Sequence, residues 1–497
     1  MKHYQKIGAL ALGALLTLSC SNNDDPDGPV NPNVSDVKVQ DFVWKGLNSW
    51  YFWQSSVPKL GDKAFSSNSD YVNFLNGKKP TDLFYSLLND YPNTDRFSWI
   101  VEDVNELLSG FSGVSKSAGY DFNLYLKDAG NTNVVGIVNY VMPNSPAEKA
   151  GMKRGDVLTA VNGAALTVNN YTNLLKDQYS VEIAEKTEVT ASGVVTSGTP
   201  KTVNISAVVL EENPVAFAQV LNYDNKKIGY LVYNGFQSNY NDELNAAFAK
   251  LKAGGATELI LDLRYNGGGS VSSAVALGQM ITGQFTGSPF VSLKFNDKHS
   301  QYNETDKLSD KVPLFNYVNG NNQPAGEEAI NSLQLKKVYV LTSSGTASAS
   351  ELTIDGLKPY IDVVTIGGET YGKFVGSITL FDSPSKDYLS YEERNKSHNY
   401  AMQPITFSYF NGKNDAHPVK GIVPNYAINP FAYFGKLKEF GNASDPGLNK
   451  ALELILGKVV AKQASKVDFD RSRAFLNSTK TMKKFGTEMY VQPSEMK

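Results

Sequence analysis

Cysteine is nearly missing from this 497-residue chain, which has one, Cys20. No internal disulfide can form, and no thiolate framework for zinc can be assembled. Histidine is scarce as well, with four residues. No His, Asp or Glu run has metal-ligand spacing, so neither a metal nor a cofactor is expected. Charge of one sign is not in excess: Lys plus Arg (47) nearly balance Asp plus Glu (50), for a formal net charge of −3. A broad nucleic-acid surface needs clustered cations and is therefore not expected. Beyond residue 20 no apolar run is long enough for a transmembrane helix. What is present is ordinary for a folded chain, 41% hydrophobic and 20% charged residues, in a length that allows two to four domains. Tyr (27) and Phe (25) are plentiful, and at most positions they read as core and strand residues.

The start of the chain reads as a targeting segment. Lys2 and Lys6 precede an apolar run, Ile7 to Leu18, too short to cross a bilayer comfortably. It ends in Leu16-Thr17-Leu18-Ser19-Cys20. This resembles a bacterial lipoprotein signal, which implies that Cys20 is the lipidated first residue of the mature chain. Ser21 to Val34, rich in Asn, Asp, Pro and Gly, reads as a tether. The run Asp24-Asp25-Pro26-Asp27 resembles surface-export signals of Bacteroidetes lipoproteins. The expected location is the cell envelope, on the outer membrane, facing the periplasm or the surface, with the lipid as membrane contact.

Residues 39–108 read mainly as helix, with Phe42, Trp44, Leu47, Trp50, Tyr51 and Trp53 near helical spacing. From Tyr120 the pattern changes: Tyr120, Phe122, Leu124 and Leu126 alternate as in a half-buried strand, and Val134 to Val141 predicts a second. Ser145 to Asp156 (SPAEKAGMKRGD) then predicts a short helix ending at a glycine and a Gly-Asp turn into a strand, with Asn162-Gly163 as a hairpin-type turn. Strand and helix patterns alternate from residue 213 to about 434, which predicts an α/β core. The last 60 or so residues read as helical, then polar.

Chemistry concentrates in the α/β region. Gly345 to Glu351 places Ser348, with small neighbours, at a strand-to-helix junction. Thr370-Tyr371-Gly372-Lys373 places a lysine in a turn. A serine hydroxyl becomes a nucleophile when a base removes its proton, and a neutral lysine can be that base. Burial away from carboxylates favours a neutral lysine, and Gly372 with Phe374-Val375 fits such a site. The backbone N–H of Ala349, at a helix start, is a candidate oxyanion donor. A second donor is expected from Gly267-Gly268-Gly269, where the backbone can approach a substrate closely.

Taken in order, these motifs identify a resemblance to peptidase family S41, the C-terminal processing or tail-specific proteases. The shared features are the SPAEKAGMKRGD segment of a PDZ domain, Asp262 to Gly269 (DLRYNGGG), Thr346 to Glu351 (TASASE), Thr370 to Lys373 (TYGK) and Gly421 to Asn425 (GIVPN). The resemblance covers roughly residues 109–430. It implies Ser348 as nucleophile, Lys373 as base, Gly268 and Ala349 as oxyanion donors and Glu351 as a support. It also implies peptide capture by the PDZ domain near Gly119, Tyr120 and Phe122, and substrates that are proteins or peptides, held by a C-terminus. Two positions depart from the family. Ser377 stands where a glutamine often orients the lysine, and Asn425 stands where an aspartate is usual.

The implied fold is mixed α/β and multi-domain: signal 1–20, tether 21–38, helical domain 39–108, PDZ domain 109–211, a crotonase-like α/β catalytic core 212–434 and a helical extension 435–497. Alternatives remain open at this level. One is an inactive peptide- or glycan-binding scaffold; another is an enzyme whose PDZ domain blocks the cleft until ligand arrives. A Ser-His site using His299, His398 or His417 is a third. Ser383-Pro384-Ser385-Lys386 fits a Ser-x-x-Lys pattern but lacks companion motifs and reads as coincidence.

Overall fold

The computed structural model describes residues 37–127, 132–190, 193–318, 321–460, 475–483 and 485–496. Cys20 and the tether lie outside the described residues. Among the described residues, no helix is long and apolar enough to cross a membrane.

The α/β region is built on a six-stranded sheet in the order Val215–Tyr223, Lys226–Tyr233, Glu258–Asp262, Lys337–Thr342, Asp362–Gly367, Tyr426–Ala427. All pairs are parallel except the first. Parallel strands are covered on both faces, and alternate residues show it. Leu231, Tyr233, Leu259 and Leu261 join the large core with helices Asn241–Ala253 and Val271–Thr282. Tyr230, Val232 and Ile260 face the other way, onto helix Pro446–Leu456. Three adjacent strands end at the three motifs: Glu258–Asp262 runs into Arg264–Gly269, Lys337–Thr342 into the Ser348 turn, and Asp362–Gly367 into the Lys373 turn. In parallel sheets the carboxyl ends of strands are where sites form.

A second six-stranded sheet, Gly269–Ser270, Met489–Tyr490, Val375–Ser377, Ile405–Asn411, Pro289–Phe295, Glu304–Lys307, leans on the first. Residues 39–108 are mainly helical, as expected, but are not isolated from the rest of the fold. Helices Lys38–Trp50, Asn68–Leu75, Pro80–Ser86 and Val104–Phe111 are present, and Phe42, Leu47 and Trp50 bury one face of the first. Strand Trp99–Val101, however, pairs with Ala401–Gln403, and the helices share the catalytic core. A strand this short is recruited by a distant partner, which local periodicity does not report.

The PDZ domain is an antiparallel sheet, Lys201–Ser206, Gln178–Ile183, Val157–Val161, Val134–Val141, Tyr120–Leu126. Its short helix Pro146–Lys149 is capped by Ser145, whose side chain accepts from the Glu148 amide. Arg154 locks it to the core, donating to Asp445 (2.9 Å), the Lys438 carbonyl and Tyr265. Arg264 of the DLR motif donates to both Asp262 and the same Asp445.

The extension beyond 434 differs most from expectation. Among the described residues it holds one helix longer than a turn, Pro446–Leu456, and its later part includes two short strands. Phe475–Ser478 adds to the PDZ sheet beside Tyr120–Leu126, and Met489–Tyr490 lies between Gly269–Ser270 and Val375–Ser377.

Candidate active site

Ser348 precedes helix Ala349–Leu357 with φ 65° and ψ −117°. A non-glycine residue there costs about 1–3 kcal/mol and persists only where its surroundings enforce it. The enforcement is visible. Thr346 Oγ1 donates to the Leu263 carbonyl, Ala347 N to the Asn266 carbonyl, and Ser350 Oγ to the same carbonyl. The serine turn is thus laced to the DLRYNGGG turn. Ser348 is buried, and its Oγ has no hydrogen-bond partner among the described residues.

Glu351 joins the two motifs. Its Oε2 accepts from Ser348 N at 2.7 Å and from Lys373 N at 3.0 Å, and its Oε1 from Gly372 N at 2.8 Å and Thr370 Oγ1. One fully buried carboxylate therefore sets the serine and lysine backbones relative to each other, beyond the helix-start support expected of it. Behind it lies His417, whose Nε2 is 3.4 Å from Glu351 Oε1 and whose Nδ1 bonds Asp355. No hydrogen bond links a histidine to Ser348 Oγ; His299 stacks on Trp50 and His398 pairs with Asp382.

Burial opposes charge on His417, but the Asp355 hydrogen bond and the two carboxylates outweigh it and push the imidazolium up to about 9. Asp355, whose carboxylate burial alone would raise, is held below the usual range by His417 and Lys358. A base with a raised folded pKa stabilises fully below its unfolded value of ~6.5 and loses the contribution as pH passes about 9. The pairing is worth ~3 kcal/mol at its maximum. Melting curves at pH 6 and pH 10 check this: wild type loses more stability between them than His417→Asn, and equal losses refute the assignment.

Lys373 lies deep in the fold, yet not away from carboxylates as expected. Its Nζ donates to the Thr487 carbonyl (2.8 Å) and to Glu488 Oε2 (3.1 Å). Glu488 Oε1 in turn accepts from Trp99 Nε1 at 2.8 Å. The contact comes from the far end of the chain, 115 residues away, so no motif announced it. Ser377 bonds the Met489 carbonyl and receives Gln403 Nε2; it reaches the lysine only through Glu488. Asn425 ties to Thr365 N and Oγ1, bracing a strand rather than touching Ser348 or Lys373.

Gly268 stands against Ser348. A Cβ on it would lie 2.7 Å from Ser348 Cβ and 2.3 Å from the Glu488 carbonyl oxygen, at φ +109°. Only glycine fits. Its N–H donates to Asn266 Oδ1 at 2.9 Å. Ala349 opens its helix, so its N–H has no partner inside it. In the PDZ loop, Gly119 N bonds Ser117 Oγ, and Gly119 and Ala118 carbonyls accept from Met142 N and Ala147 N. Phe122 N is taken by Thr479 Oγ1 at 2.8 Å. A cleft of about 630 Å³ runs from this loop past Phe236 to Gly267–Gly269. In the Ser383–Lys386 segment, Lys386 pairs with Glu393 at the surface.

Residues 227–394 match the model for peptidase family S41, residues 38–99 that for the peptidase S41 N-terminal domain, and residues 137–184 that for a PDZ domain. A solved structure from Bacteroides fragilis assigned to the S41 proteases superposes with a TM-score of 0.64 at 25% identity, covering 84% of this chain and 97% of that one. A Staphylococcus aureus protein assigned as a CtpA-like serine protease is 28% identical over 49% of this chain and 42% of its own length. A Staphylococcus epidermidis counterpart is 28% identical over 69% of this chain and 58% of its own. The chain thus spans less than half the length of the S. aureus relative it matches.

Proposed function

We propose that this chain, which belongs to peptidase family S41, cuts polypeptides through an acyl-enzyme on Ser348 with Lys373 as base. The observation that carries the reading is the shared Glu351 oxygen, which holds the Ser348 and Lys373 backbones side by side while the serine hydroxyl stays unbonded. Ser348 Oγ attacks the scissile carbonyl and its proton passes to the Lys373 amine once that amine is released from Glu488. The Ala349 N–H stabilises the oxyanion, joined by Gly268 once its amide turns from Asn266. The protonated lysine returns its proton to the leaving amine; water, deprotonated by the lysine, then releases the acyl group. The PDZ domain recruits the substrate, an unfolded or exposed C-terminal segment, by strand addition. Cys20 anchors the protein to a membrane of the cell envelope.

An active-site serine probe tests the chemistry. The full chain treated with a fluorophosphonate is expected to gain one adduct, located at Ser348 by peptide mass mapping. Lys373→Ala lowers the labelling rate by ~10²-fold or more. Peptide binding with neither labelling nor hydrolysis favours the inactive scaffold instead.

A further inference from the structure

The chain's own C-terminal segment occupies both places where a substrate polypeptide would be held. Phe475–Ser478 runs antiparallel to Tyr120–Leu126, opposite Tyr125, Leu124 and Asn123. That is the strand-addition edge of a peptide-capturing domain. Thr479 Oγ1 completes the pairing, accepting from Phe122 N and donating to Phe122 O. Ten residues on, Met489–Tyr490 lies parallel to Gly269–Ser270, and Ser377 pairs with Tyr490 on the other side. Gly269 N donates to the Glu488 carbonyl at 2.6 Å. The segment thereby fills the strip between the glycine turn beside Ser348 and the strand that follows Lys373.

Its side chains complete the occupation. Met489 is fully buried, and the Tyr490 ring stacks on Phe111 at 4.1 Å. The Thr487 carbonyl and Glu488 carboxylate both take hydrogens from Lys373 Nζ. A lysine in an ion pair is an ammonium, which donates and cannot accept. While Glu488 holds it, the nitrogen has no lone pair for the Ser348 proton. The carboxylate is itself secured by Trp99, so the pair is a buried ion pair rather than a surface contact that water would weaken.

Resting on the Ser348–Lys373 reading above, we propose that residues 475–483 and 485–490 act as an intramolecular pseudo-substrate. They occupy the peptide edge and the strip between Gly269–Ser270 and Val375–Ser377 together, and keep the base protonated through Glu488. An incoming polypeptide displaces them from both edges, and turnover begins when Glu488 leaves Lys373.

The test uses the full chain with β-casein as an unstructured substrate and a fluorophosphonate as probe. Glu488→Gln is expected to raise cleavage and Ser348 labelling at least tenfold over wild type. Glu488→Lys, which repels Lys373, raises them further, and a synthetic peptide of residues 475–496 slows that variant again. Lower rates in Glu488→Gln would make Glu488 an aligning partner of the lysine and overturn the proposal, as would unchanged rates. Hydrogen exchange on wild type provides an arm independent of activity and of variant folding. Saturating casein should speed exchange across 475–490 at least tenfold while strands Val134–Val141 and Gln178–Ile183 stay protected. Unchanged exchange overturns displacement. If no variant labels or cleaves, the peptidase reading falls, and the exchange result still decides whether the tail yields to a polypeptide.

Discussion

Ser348→Ala eliminates peptidase turnover, by ~10³-fold or more, and leaves the melting temperature where it was. The size of the loss follows from removing the atom that forms the acyl-enzyme in the proposed mechanism; oxyanion donors and binding alone retain only a residual rate. The lack of a stability effect follows from the local structure. Ser348 Oγ makes no hydrogen bond among the described residues, so truncation strands no donor or acceptor. Alanine keeps the Cβ that packs toward Gly268 and pays the same strain at φ 65°. Ser348→Gly separates the two properties. It removes the hydroxyl and relieves the positive φ, and is expected to be inactive yet at least as stable as Ser348→Ala. Casein hydrolysis with melting curves for the three proteins checks both halves. Retained hydrolysis in either variant ends the serine mechanism.

The largest effect on stability is expected at Asp445. Its carboxylate accepts from Arg264 at 2.9 and 2.8 Å and from Arg154 at 2.9 Å, all with nearly buried side chains. It also caps helix Pro446–Leu456 through the amides of Gly447 and Leu448. Asp445→Ala leaves part of a buried double guanidinium unpaired, about 3–5 kcal/mol, and removes a cap worth ~1 kcal/mol. Burial alone would raise the Asp445 carboxyl, but the two guanidinium groups hold it well below the usual range. Its contribution is therefore present above the unfolded value of ~3.9 and lost only in stronger acid. At pH 7, Asp445→Ala should melt far below wild type, and Asp445→Asn should fall between, keeping the cap but not the charge. Because Arg154 belongs to the PDZ domain, hydrogen exchange in Val157–Val161 should rise as well. A melting temperature equal to wild type would show that the two arginines find other partners.

Much of the catalytic region was legible in the chain itself. Strand Val134–Val141 appears with the bounds that its apolar run predicts. Strands Lys226–Tyr233, Glu258–Asp262 and Lys337–Thr342 alternate with helices Asn241–Ala253 and Val271–Thr282, as the α/β pattern predicts. These elements follow local periodicity, which reports which face is buried. The turns that carry the candidate residues Ser348 and Lys373 were legible for a related reason, since each is a short segment whose small residues and glycines serve one turn. The alternating strand of the PDZ domain was equally plain, but its occupant was not. The later part of the tail, expected only as polar, is partly extended because two sheet edges recruit it, and its own residues carry no strong alternation.

By itself the sequence determined the α/β alternation, the PDZ segment and the three motifs that end adjacent strands, because each depends on residues a few positions apart. Tertiary structure alone decided that one Glu351 oxygen joins serine to lysine, that Asp445 binds the arginines of two domains, and that Glu488 sits on Lys373. Those contacts depend on which strands become neighbours. Neighbourhood is set by burying apolar faces across the whole chain, and it places together charges that no spacing along the chain connects.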